Sequence, residues 1–383
     1  MLGYSCSRQN GRAARLCVHF ELWLQRVLAG HADYFLDITK VGDPDLLILY
    51  LFPFVCAINR NLFMRFVMTA ALCDFLNNVF KWMLHGERPY WWVVEHGLAK
   101  EANQLKQFKL TCESGPGSPS GHAMITSSVW FILTYAYVSH MAIQKSRHRY
   151  ILSTVAWFGY LLLFTLVSIS RLYIATHFPH QVLLGGIIGV IVGIAFIRLP
   201  IEKLRLNHCL LLMATLIIFA GTTYSVMLQL GVSPDWALSK ALAQCADAAW
   251  VKRSATPLAA LFRDAGAIIG LGLAVESPFF RFSADLLHRD GSEVGTAVVS
   301  FILVQFCAFL LGGPSPEEHL YAFYVVIMLR NILICFVSVA FVPYAVMKIM
   351  NLKRFPTAAE KPPDVIRKEM LMKKGKKKGT ANW

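Results

Sequence analysis

Long apolar stretches separated by short polar connections dominate this chain, and their lengths set the first expectation. A helix needs about 20 predominantly apolar residues to cross a bilayer. Runs of that order recur near 46–58, 62–84, 121–143, 150–170, 179–197, 209–230, 257–275, 295–311 and 319–347. They predict an all-α membrane protein of about nine spans, the first short and the last long. The opening stretch, 1–29, is broken by Arg and Glu where a signal peptide would need an uninterrupted apolar centre, so it reads as a surface amphipathic segment. The expected organisation is an N-terminal segment over 1–41, a membrane domain over 42–347 with polar loops at 81–122 and 170–181, and a basic tail over 348–383.

Composition agrees, with 56% hydrophobic and 16% charged residues. The formal charge of +14 would point to nucleic acid in a soluble protein. Here the basic residues gather in short connections: Lys145, Arg147 and Arg149 after the third run, Arg198, Lys203 and Arg205 after the fifth, and Lys373, Lys374, Lys376, Lys377 and Lys378 in the tail. With an odd total of spans, an even number separates each of these groups from the next, which puts them on one side, the cytoplasmic one by the positive-inside rule, and makes the bilayer rather than nucleic acid the partner. Arg8, Arg12, Arg15 and Arg26 then lie opposite, with the N-terminus. Most cysteines fall in apolar runs, without metal-ligand spacing. Cys112 and Cys245 share the non-cytoplasmic side, where a disulfide and two thiols are equally open.

Three polar clusters interrupt this pattern: Lys81 with Arg88-Pro89, Pro119-Ser120-Gly121-His122, and Ser170-Arg171 with His177. The first two share one connection and the third lies two spans on, so all three face the compartment opposite the basic tail. Alone, Lys81 would read as a snorkelling anchor, and Tyr90-Trp91-Trp92 reads as an interfacial aromatic belt before a sugar-stacking surface. Asp74, inside a run, reads as a polar bundle contact, and His180 as a pocket wall or a helix cap.

Together the clusters suit phosphoryl transfer through histidine. Lys81 offers a point charge, and Arg88 and Arg171 offer planar forks that match phosphate oxygens. They would neutralise phosphate with no metal or other cofactor. Ser118 as cap and Pro119 in the first helical position would leave the Ser120 and Gly121 N–H groups free for an anion. His177, beside Arg171 and ahead of the helix start at Pro179, is expected to stay neutral and act as nucleophile. His122 is expected to act as general acid and base.

The ordered pattern Lys-x6-Arg-Pro, Pro-Ser-Gly-His, Ser-Arg-x5-His resembles the signature of the type 2 phosphatidic acid phosphatase superfamily. The longer strings Phe80-Lys81-Trp82, Arg88-Pro89-Tyr90-Trp91-Trp92-Val93, Thr111-Cys112-Glu113, Gly115 to His122 and His177 to Val182 resemble the glucose-6-phosphatase catalytic subunits, over most of the chain from about Gly42 onward. That resemblance implies nine helices in the endoplasmic reticulum membrane, a lumenal active site, hydrolysis of glucose 6-phosphate through a phosphohistidine, and a translocase partner that delivers substrate. Gln181 stands where the wider superfamily has Asp, so another carboxylate is expected to orient His177, with Asp43 the candidate. A lipid phosphatase, or a family member kept for binding rather than turnover, would share the same motifs.

Overall fold

The computed structural model of the chain describes residues 11–43, 46–143, 147–252, 255–284, 293–310 and 319–351. Arg8, Lys145 and the tail lysines lie outside these residues. All the described secondary structure is helical. In chain order the helices are α1 (Gly11–Val27), α2 (Ala32–Lys40), α3 (Phe52–Ile58, after a π turn at Leu47–Leu51), α4 (Arg60–Leu84), α5 (Pro89–Glu95), α6 (Ala99–Gln104), α7 (Gly121–Ile143) and α8 (Arg149–Tyr173). They continue with α9 (Pro179–Arg198), α10 (Leu206–Gln229), α11 (Trp236–Gln244), α12 (Pro257–Glu276), α13 (Pro278–Ala284), α14 (Glu293–Leu310), α15 (Leu320–Phe336) and α16 (Val342–Asn351), the last two joined by a π turn at Val337–Phe341.

Among the described residues, six helical runs are long and apolar enough to cross a membrane, and Leu49–Ile58 and Val294–Phe309 are shorter apolar helices. The expected count of nine is therefore not reproduced. Three runs make up the difference: Leu49–Ile58 and Val294–Phe309 are short, and α7, long enough at 23 residues, mixes polar side chains into its buried face. Ser127 and Ser128 on that face donate to the Met124 and Ile125 carbonyls of their own helix, and Tyr160 of α8 donates to the Ser127 carbonyl. Hydroxyls spent on backbone carbonyls make a polar helix tolerable inside an apolar bundle.

The core is built by α4, which packs on α7 and α12, by α7, which packs on α8 and α9, and by α12, which packs on α15. Close approach of α9 to α7 depends on small residues: a Cβ placed on Gly185 would stand 2.5 Å from the Ser120 carbonyl oxygen. Direction follows from the chain. The C-terminal ends of α4 and α8 and the N-terminal ends of α7 and α9 meet at one end of the bundle. At the other, Arg65 of α4 donates to the Ile197 carbonyl at 2.9 Å, on the side where Arg147, Arg149, Arg198, Lys203 and Arg205 also sit.

The amphipathic α1 lies across the motif-bearing end, where Gln25 donates to the carbonyls of Lys106 (3.0 Å) and Tyr173 (2.7 Å). A Gly185→Val substitution forces α9 away from α7 against backbone atoms that cannot yield, so it is expected to cost about 1–3 kcal/mol. A lowered melting temperature of the purified protein checks this.

Candidate active site

The four helix ends bring the three polar clusters together, and a residue between them occupies the centre. Arg88 is fully buried; its Nε donates to the Gly115 carbonyl (2.7 Å), its Nη1 to Thr176 (3.1 Å), and its Nη2 to Pro116 (3.0 Å) and the Glu113 carboxylate (2.9 Å). Arg171, 1% exposed, donates to Thr39 Oγ1 at 2.9 Å and to the other oxygen of Glu113. That first Glu113 oxygen also stands 3.9 Å from His177 Nε2, and the second stands 3.8 Å from His122 Nδ1. One carboxylate thus sits between both guanidiniums and both imidazoles. Burial pushes the Glu113 carboxyl up, but Arg171 and Arg88, helped by the two histidines, outweigh that and hold it well below the usual range.

The local chain explains these positions. Gly117 donates its N–H to the Gly86 carbonyl at 2.7 Å, which staples the loop before α7 to the loop after α4. A Cβ on Gly117 would come within 2.5 Å of the Glu87 carbonyl oxygen, so the approach needs glycine. The Gly117 carbonyl accepts from His177 Nδ1 at 2.7 Å. A carbonyl can only accept, so the proton resides on Nδ1 and Nε2 presents a lone pair; Nε2 has no hydrogen-bond partner among the described residues. Burial first, then Arg88 and Arg171, pushes the His177 imidazole well below its ordinary range, and it stays neutral.

Three expectations need correction. Asp43 does not orient His177, because the Gly117 carbonyl holds Nδ1, and the Asp43 charge acts on Arg171 instead. The Ser120 N–H is not free for an anion: it donates to the Gln181 carbonyl at 3.0 Å, and α7 starts only at Gly121, with the Ser118-Pro119 peptide cis ahead of it. The Ser120 hydroxyl is buried without a partner among the described residues, and Gly121 lines the cavity. The Tyr90-Trp91-Trp92 cluster is neither interfacial belt nor pocket wall. All three rings are buried under the loop, and Trp91 donates to Glu87. His180 is exposed, stacked on Phe178.

Gln181 finds a different use from that of a carboxylate. Its amide oxygen accepts from the Phe178 N–H (3.1 Å) and its Nε2 donates to the Glu87 carbonyl (2.7 Å). A neutral amide that both donates and accepts can tie two loops together where a carboxylate could only accept. Outside this shell, Lys240 of α11 bridges Glu87 (2.9 Å) and Glu95 (2.6 Å), and a Cys112–Cys245 disulfide joins α11 to the residue before Glu113.

A cavity of about 230 Å³ opens onto this centre. Lys81, Glu113, Gly121, His122 and Arg171 line it, with Lys40, Lys109 and Lys252 among its other walls. Arg88 and His177 lie behind Glu113 and do not line it. Lys81 is 8% exposed, and its ammonium makes no hydrogen bond among the described residues. The arrangement has the charge and geometry to hold a tetrahedral oxyanion between two forks and an ammonium, with one imidazole behind it and one beside the open cavity. Glu113 was the residue that motif reasoning passed over, although it is the one carboxylate in the Thr111-Cys112-Glu113 string.

Residues 62–205 match the PAP2 superfamily. The chain is 35% identical over 341 residues to glucose-6-phosphatase 2 of Homo sapiens, covering 86% of this chain and 94% of that one. The chain belongs to the glucose-6-phosphatase family. It is likewise 35% identical to human glucose-6-phosphatase 3, over 84% of this chain and 92% of that one, and 34% identical to glucose-6-phosphatase catalytic subunit 1 of Rattus norvegicus, over 83% and 90%. No solved structure matches the chain. A glucose-6-phosphatase family member with this domain is a multi-pass membrane phosphatase that hydrolyses phosphoric monoesters.

The neutral His177 links stability to acidity. In the unfolded chain it titrates near 6.5, and in the fold well below, so folding below pH 6.5 must release a proton. Stability is therefore complete above that pH and falls beneath it, and the depressed Glu113 carboxyl adds a loss in the same direction below 4.5. Thermal melts of a His177→Asn variant should show a shallower loss between pH 6.5 and 5 than those of the natural protein.

Proposed function

We propose that this protein hydrolyses glucose 6-phosphate to glucose and inorganic phosphate through a phosphohistidine. What carries the reading is the single carboxylate of Glu113, lodged between Arg88 and Arg171 with His177 and His122 beside its two oxygens. An anion with an imidazole on each side is the geometry an in-line phosphoryl transfer requires. The names of the relatives supply the sugar phosphate.

Substrate phosphate takes the place of the Glu113 carboxylate and receives Arg88, Arg171 and Lys81. The His177 Nε2 lone pair attacks phosphorus and the ester P–O bond breaks, while Nδ1–H remains on the Gly117 carbonyl as positive charge develops on the ring. His122 gives its proton to the departing sugar oxygen, its charged form favoured by the bound anion. A water then attacks the phosphohistidine, His122 takes a proton from it, and the P–N bond breaks to release inorganic phosphate and restore His177. Charge on the equatorial oxygens is met throughout by fixed cations. Gly121 gives the phosphate room to approach the start of α7, and the Ser120 hydroxyl is a further donor toward it.

The site end lies opposite Arg147, Arg149, Arg198, Lys203 and Arg205. With those on the cytoplasmic side, the site opens to the lumen of the endoplasmic reticulum, the tail is cytoplasmic, and a glucose-6-phosphate translocase supplies substrate. The cysteine pair at the site end fits an oxidising lumen.

Two outcomes test the chemistry. His177→Ala is expected to lower kcat at least about 10³-fold, in keeping with loss of a covalent nucleophile, with no acid-labile phosphoprotein trapped. In His122→Asn, phosphate esters with good leaving groups should still phosphorylate the protein while its dephosphorylation slows about 10²-fold or more, so labelled phosphoprotein accumulates; rapid-quench trapping reads both. Turnover in His177→Ala at the natural rate would remove the mechanism.

A further inference from the structure

The cavity does not end at the phosphate centre. It continues along α4 toward the middle of the bundle, where Asp74, Asn77 and Asn78 of α4 and Arg263 of α12 complete its wall. Positions 74, 78 and 81 are spaced i, i+4, i+7, which places them on one stripe of α4. Asp74 therefore lies about 10 Å below Lys81 along the helix axis, at 1.5 Å per residue.

Asp74 Oδ2 meets Arg263 Nη2, and Asn78 Nδ2 donates to the Asp74 carbonyl at 2.8 Å and approaches its Oδ1 at 3.3 Å. Arg263 also lies 3.8 Å from Asp264. All are largely buried: Asp74 is 5% exposed, Asn78 4% and Arg263 9%.

This is more polar chemistry than helix packing asks for. A buried ion pair can often be replaced by apolar residues without loss of stability, and ionisable groups at membrane depth mark ligand paths rather than simple contacts. The phosphate centre already holds its own cations, so Asp74 and Arg263 are not needed there. Size agrees. A phosphate group of five heavy atoms fills roughly the space of two to three waters at about 30 Å³ each, and the cavity holds about 230 Å³.

We propose that Asp74, Asn78 and Arg263 form the subsite that receives the hydroxyl-bearing organic half of the phosphate ester. A carboxylate, an amide and a guanidinium in one wall supply acceptors and donors together, the mixture that a polyhydroxylated group requires and an acyl chain does not. The proposal rests on the phosphatase reading and adds to it the side chains that select the leaving group. A wall that bonds hydroxyls favours an ester that carries them over an analogue that does not, since the analogue forfeits those bonds.

The test compares the purified full-length protein on glucose 6-phosphate and on phenyl phosphate, whose leaving group carries no further hydroxyl. Asn78→Leu is the first variant, since among the described residues its side chain bonds only to Asp74, one turn away on the same helix; Asp74→Asn is the second. In each, the ratio of kcat/KM for the sugar ester to that for the phenyl ester is expected to fall about tenfold or more, chiefly through KM for the sugar ester. A ratio unchanged within about twofold, or equal losses on both esters, overturns the subsite and leaves the phosphatase reading standing. If the natural protein turns over neither ester, both fall together.

Discussion

A carboxylate held between two buried guanidiniums is the contact on which the rest of this site depends. Arg88 and Arg171 are almost completely enclosed, and an uncompensated charge so enclosed is strongly destabilising. Arg88 is made tolerable by three loop carbonyls and Glu113, and Arg171 by Thr39 and the same carboxylate. The positive centre can exist in the empty protein because an internal anion fills it. A ligand that is to be held by both guanidiniums must therefore exchange with Glu113, which favours a group carrying more charge and more acceptor oxygens than a carboxylate does.

The elements that hold this centre divide into two kinds. The long helices α4, α7, α8 and α9 deliver Lys81, His122, Arg171 and His177 to one end of the bundle, and their register is fixed by close packing such as that at Gly185. The loops between them are held from outside: α1 grips the loop over 105–111 and the end of α8 through Gln25, and α11 grips the other side through Lys240 and Cys245. Neither α1 nor α11 contributes a hydrogen bond to Arg88, Arg171 or Glu113 among the described residues. Their contribution is to keep three loops in one arrangement, so that the donors need no reorganisation during reaction.

The helical class, the clustering of Lys81, Arg88, His122, Arg171 and His177 and the neutrality of His177 were legible in the chain, because apolar run length and ordered motifs are local features. What escaped has long-range causes. The orienting group for His177 was sought among carboxylates, whereas a backbone carbonyl 60 residues earlier supplies it, and a carbonyl leaves no mark in a sequence. Gln181 stood out as a missing Asp, yet it works as a two-way tie between loops. The aromatic triplet followed composition to the interface, while the fold turned it inward.

The Cys112–Cys245 link spans 133 residues and ends one position before Glu113. Thiol pairs survive as disulfides in oxidising compartments and are kept reduced in the cytosol. A copy with its motif-bearing end toward the cytosol would carry two free thiols there, and the segment bearing Glu113 would lose its covalent tie to α11. The side of the membrane that the motif-bearing end faces is thus written into the rigidity of the site.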